Sequence, residues 1–96
     1  LDQNAAVLAL HYERGGWDDL AFVYAALAGD VAWRAYAHHE ALAHYDSAIE
    51  IAQRVDAKLF APRVREVFAK RGRVFEVIEN RAAAIDNYNA MARMLN

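Results

Sequence analysis

Cysteine and threonine are absent from this sequence, serine and proline appear once each, and glycine appears four times. Each shortage excludes something. Without cysteine there is no disulfide framework, no thiolate nucleophile and no cysteine-based zinc site. Apart from the tyrosines, Ser47 is the single hydroxyl. It lies in a helical pattern with no strained turn and no oxyanion donors around it, which makes it a poor nucleophile. The glycine pair Gly15-Gly16 lacks the frame of a phosphate-binding loop. Turn formers and β-branched residues are too few to build a sheet. No uninterrupted apolar run approaches the length of a membrane span.

What is present is alanine, which supplies 22 of the 96 residues. That length allows one small domain or a fragment, 1–96, and the alanine content predicts an all-α chain. The formal net charge of −2 excludes nucleic-acid and membrane-surface binding on charge grounds. It conceals an asymmetry. Residues 1–48 carry two basic and seven acidic side chains, whereas residues 49–96 carry nine basic and six acidic. The absence of cysteine suits a cytoplasmic location. The start at Leu1, with no Met and no charged-then-apolar leader, reads as the edge of an excised piece, not as a signal peptide.

Apolar residues recur at helical spacing almost throughout. The spacing predicts helices over about 3–13, 17–37, 40–55, 62–78 and 81–95. Ala6, Ala9, Leu10 and Glu13 mark the inner face of the first, which Gly15-Gly16 ends. Asp18 and Asp19 open the second at its positive dipole end. This helix is read as continuous through Gly29, with Phe22, Ala25, Ala26, Gly29, Ala32, Trp33 and Tyr36 on one face. A close helix neighbour would give Gly29 its purpose. His38-His39 is the predicted turn, and Ala41, Tyr45, Ala48, Ile49 and Ala52 face inward on the third helix. Residues 56–60 read as a linker, with Pro62 at an early position of the fourth helix, where its missing N–H costs nothing. Phe68, Gly72 and Phe75 run along that helix. Asn80 reads as a turn or capping residue, and Ala84, Tyr88, Met91 and Leu95 as the inner face of the fifth helix.

Two stretches align with each other. Gly29 is followed by Ala41, Tyr45 and Ala48, and Gly72 is followed at the same offsets by Ala84, Tyr88 and Met91. Small residues midway along one helix and early in the next let two antiparallel helices approach closely, while the aromatic fills the wedge beside them. The pattern resembles the tetratricopeptide repeat. Phe68 stands where that motif favours a large aromatic, and Ala9, Tyr12, Gly16 and Ala21 form a weaker partial copy. The departures are Met91 for a small residue, Ala25 where Trp is common, no closing proline, and a 43-residue separation in place of the family's 34. The run from His11 to Ala52 also looks like helical-repeat regions downstream of ATPase modules in large bacterial signalling proteins, including nucleotide cyclases and transcription regulators. The resemblance implies antiparallel helix-turn-helix units stacked as an α-solenoid whose first helices line a concave groove.

Arg63, Glu66, Lys70 and Arg73 recur at three and four residues on one face of the fourth helix, with Val77 continuing the stripe. The resemblance places this stripe in the groove, opposite Val23, Ala26, Leu27, Asp30, Trp33 and Arg34 of the second helix. Asp30, Trp33, Arg34, Arg63, Glu66, Lys70 and Arg73 are therefore the candidate partner-binding residues, suited to an acidic or C-terminal peptide segment. Family members that clamp a terminal carboxylate do so with Lys and Asn. Those positions hold Ala26 and Asp30, then Ala69 and Arg73, which does not support that clamp. His38, His39, Glu40 and His44 offer metal-ligand chemistry without a recognised spacing, and suit a turn and surface better. Asp18-Asp19 are adjacent, point apart and suit capping. The basic run 63–73 contains Glu66 and is followed by Glu76 and Glu79, against nucleic-acid binding.

The expected function is a non-enzymatic protein-interaction scaffold without cofactors, holding a partner segment in its groove. The alternatives are a sensor segment coupled to an ATPase or cyclase module and, less favoured, a metal-binding helical bundle. An odd number of helices and the apolar first segment predict an array continuing beyond one end. Alone, the piece is expected to pair or swap with itself.

Overall fold

A computed structural model describes residues 4–95. Among them five α-helices follow one another: α1 (Ala5–Arg14), α2 (Asp18–Arg34), α3 (His38–Ala52), α4 (Ala57–Val77) and α5 (Arg81–Leu95). Each packs mainly on its neighbours in sequence, forming a slab of about 36 × 32 × 17 Å. The protein is all-α, and none of its described helices is long and apolar enough to cross a membrane.

Three of the four connections are the same turn. At the ends of α1, α2 and α4 a residue enters the left-handed region: Gly16 at φ 80°, Tyr36 at 60° and Glu79 at 59°. The next amide reaches back to a carbonyl five residues earlier, Trp17 to Tyr12, Ala37 to Ala32 and Asn80 to Phe75. This Schellman geometry satisfies the last carbonyls and reverses the chain within three residues. It also corrects the expected boundaries. The second helix stops at Arg34, and the turn falls at residues 35–37 instead of His38-His39, which open α3. Tyr36, expected on the inner face of α2, lies in this turn and is 83 % exposed. Asn80 caps α5 as expected, its side-chain oxygen accepting from the Ala83 amide at 3.1 Å.

The fourth connection differs. α3 ends at Ala52, and α4 begins five residues before the predicted start. The carboxylate of Asp56 accepts from the amides of Lys58 and Leu59, so the expected linker is the first turn of α4. Phe60 packs edge-on against Phe22, which gives that turn a tertiary anchor. Pro62 is consequently the sixth residue of α4, not an early one, and it forfeits the backbone bond to the Lys58 carbonyl.

The core is built largely of alanines from α1–α3, into which Phe22, Tyr45, Ile51, Val64, Phe68 and Val74 fit. Gly29 is buried inside an uninterrupted α2, as expected, and a Cβ there would overlap the Tyr45 ring. That ring is the close helix neighbour.

Two inner faces are not those expected. On α1 Ala9 is buried as expected, but Ala6, Leu10 and Glu13 are exposed and Ala5 is buried in their stead, a rotation that seats Tyr12 against Tyr24. On α5, Tyr88 is 66 % exposed and Asn87 is buried in its stead. No helix among the described residues packs on the outer side of α5. The position beside Gly72 is taken by the Asn87 amide, which donates to the Phe68 carbonyl at 2.9 Å and accepts from Arg71 Nε at 2.7 Å.

Candidate functional site

The charged stripe on α4 lies opposite α2. A cleft of about 180 Å³ separates the two helices, with Val23, Ala26, Leu27 and Val67 supplying apolar surface and Asp30, Arg63, Glu66 and Lys70 supplying charge. Four of the seven residues expected in the groove thus meet in one place. Val23, Ala26 and Leu27 precede Asp30 on the same helical stripe, at three- and four-residue spacing.

Asp30 is the hub. Its Oδ1 accepts from the Tyr45 hydroxyl at 2.6 Å, and its Oδ2 accepts from Lys70 Nζ at 2.9 Å. Lys70 also pairs with Glu66 one turn away, at 2.9 Å. One carboxylate therefore ties α2 to both α3 and α4. Burial, reinforced by the bond to Asp30, pushes the Tyr45 hydroxyl well above its ordinary pKa of 10.0. Burial works against the Lys70 ammonium, but hydrogen bonds to Asp30 and Glu66 outweigh it and hold its pKa above the usual value. The cleft's two acids and two bases compensate each other, and Lys70, expected to receive an acidic peptide, is already committed internally.

The other three expected residues stand apart. Trp33 and Arg34 line a second hollow of about 540 Å³ with Tyr36, His38 and Val77. Arg73 spans the gap from α4, its guanidinium carbon 4.4 Å from the Trp33 ring centroid. Both arginines lie near enough to Tyr45 to oppose the rise in its pKa. Sequence spacing placed Val77 on the stripe, but Tyr36 and His38 were missed, since they reach this wall only because the turn falls two residues earlier than expected.

A further α4 cation, Arg71, points elsewhere. Arg71 pairs with Asp46 of α3 at 2.7 Å, bonds Asn87 of α5 and lies over the Phe68 and Phe75 rings. Arg54, in the α3–α4 connection, bonds Glu13 at 2.9 Å and lies 3.4 Å from Asp18. Among the described residues no three of His, Cys, Asp and Glu gather closely enough to hold a metal ion, so His38, His39, Glu40 and His44 do not form a centre.

The class of protein that these observations define is an all-α chain of short-turned helix hairpins carrying a cleft between its second and fourth helices. No protein-family model, curated protein or solved structure matches it.

Proposed function

We propose that this chain is a tetratricopeptide-like α-solenoid segment, a cytoplasmic and non-enzymatic module that holds a partner segment in the α2–α4 cleft. The observation that carries this reading is the cleft itself, lined by the first helices of two similar hairpins. Support for stacked repeats comes from the hairpins' equivalence. The left-handed residues Tyr36 and Glu79 are 43 positions apart, the same separation as Gly29 from Gly72. Neighbour-on-neighbour helix packing is the arrangement that lets repeats share a continuous core.

The cleft suits an extended chain better than a compact ligand. Its apolar lining takes side chains, its balanced charges impose orientation, and its fixed carboxylate and ammonium lose little entropy on binding. Selection of random peptides on the immobilised protein tests this. Enriched peptides are expected to bind the native chain and to lose about tenfold or more affinity to a folded Leu27→Glu variant. Absence of enrichment, or equal binding to the variant, would refute the reading.

A further inference from the structure

One cation left over after internal pairing, Arg73, lies beside an apolar hollow. Lys70 is neutralised by Asp30 and Glu66, and Arg71 by Asp46. Arg73 has no carboxylate partner among the described residues. Its guanidinium carbon instead lies over the Trp33 ring, and the residue is exposed, which leaves N–H donors available. Trp33 is also a wall of the hollow, so the cation and the apolar surface share one side chain.

The hollow has the features of a side-chain receptor. Its volume, about 540 Å³, lies within the range of roughly 300–1,000 Å³ usual for ligand sites. Tyr36 and Val77, two of its walls, are 83 % and 50 % exposed. Trp33, Tyr36 and Arg73 are of the three residue types enriched in binding hot spots. The turn that presents Tyr36 holds a non-glycine residue in the left-handed region, a conformation that L side chains disfavour. His38 Nδ1, on the adjoining wall, is buried without a hydrogen-bond partner among the described residues.

We infer that the Trp33–Tyr36–Val77 hollow and Arg73 form a second recognition element, for a partner peptide carrying a large apolar side chain next to an aspartate or glutamate. The apolar group enters the hollow and the carboxylate meets the Arg73 fork. Charge complementarity selects this occupant, since Arg73 combines a cation without a carboxylate partner among the described residues with the aromatic wall of Trp33. The inference rests on the proposed peptide-binding function and adds the side-chain chemistry that would be recognised.

The test uses an acetylated and amidated peptide in which a leucine is flanked by glutamates, so that side chains carry its only carboxylates. Titration into the isotope-labelled chain is expected to shift the Trp33 indole and Val77 methyl resonances. Lysines in place of the glutamates should abolish the shifts, and added salt should weaken them. Arg73→Gln should reduce affinity about tenfold. Tyr36→Gly, which removes the aromatic wall while relieving the turn, should reduce it several-fold. Arg93→Gln, an exposed cation on α5 outside both the cleft and the hollow, should have little effect. Shifts confined to Val23 and Leu27, with affinity insensitive to Arg73→Gln, would overturn the inference and leave the cleft as the binding site. Binding only by a peptide with a free terminal carboxylate would overturn it too. So would the absence of any Trp33 shift at about 1 mM peptide, while the random-peptide selection judges the cleft independently.

Discussion

Tyr45 and Tyr88 occupy the same place in two hairpins and have opposite fates. Each follows a helix glycine by sixteen residues and an alanine by four. Tyr45 has no exposed surface, lies against Gly29 and donates to Asp30, whereas Tyr88 is 66 % exposed. α4 packs on α3, and no described helix packs on the outer side of α5. A repeat position therefore specifies where an aromatic points, and the neighbouring helix decides whether it becomes core. In the second hairpin the space beside the glycine belongs to Asn87, whose amide joins α5 to α4 by hydrogen bonds instead of ring packing.

The sharpest way to break this comparison is truncation. Tyr45→Ala is expected to destabilise the chain by about 3–5 kcal/mol, the usual cost of deleting a buried aromatic. Tyr88→Ala should change stability by only about 0.5 kcal/mol. Urea denaturation of both variants checks this, and equal losses would sink the distinction. The glycines come next. Gly29→Ala drives a methyl into the Tyr45 ring and should cost about 1–3 kcal/mol despite better helix propensity. Gly72→Ala meets only the Asn87 amide nitrogen at 3.0 Å, so its cost should be smaller by at least about 1 kcal/mol.

Alkaline titration separates the hairpins through the Asp30 network. Tyr45 has its folded pKa raised, so the stability it contributes is complete below its unfolded value of 10.0 and is lost as pH rises toward the folded value. Lys70, also raised, has the same sign with its loss beginning above 10.5. The urea midpoint is expected to fall above about pH 10. Tyr45→Phe should flatten that fall while costing about 1–2 kcal/mol at neutral pH, and Tyr88→Phe should leave both unchanged. The smallest effects belong to the turns. Tyr36→Gly and Glu79→Gly each relieve a left-handed residue, partly offset by glycine's greater unfolded entropy. A gain of about 0.3–1 kcal/mol is expected for each in thermal denaturation. A loss at one site alone would show that the two turns are not equivalent.

Much of this architecture was legible in the sequence. Five helices, the glycine stop after α1, continuity through Gly29 and the Asn80 cap all follow from local preferences that tertiary packing did not override. The errors have separate local causes. Tyr36 terminates α2 in a conformation usually left to glycine, so no residue type announced that turn. Asp56 capped a helix whose following residues had read as linker, because Lys58 and Leu59 are exposed and break the apolar rhythm. The candidate site was half legible. Helical spacing grouped Arg63, Glu66, Lys70 and Arg73 on one face, but spacing along one helix says nothing about what stands opposite. Their separation into a compensated cleft and an arginine stacked beside a hollow depends on Asp30 and Trp33 lying one turn apart on a different helix.

The absences that excluded disulfides, thiol chemistry and a sheet were settled by composition, which acts through each residue's own conformational and chemical repertoire. The small–aromatic repeat was likewise a property of the sequence, since close helix approach requires small residues at fixed intervals. Only tertiary structure decided which tyrosine is buried, which cation is already neutralised and where an aromatic hollow opens. Burial and charge pairing are relations between segments distant in sequence, and their energies exist only once packing has brought those segments together.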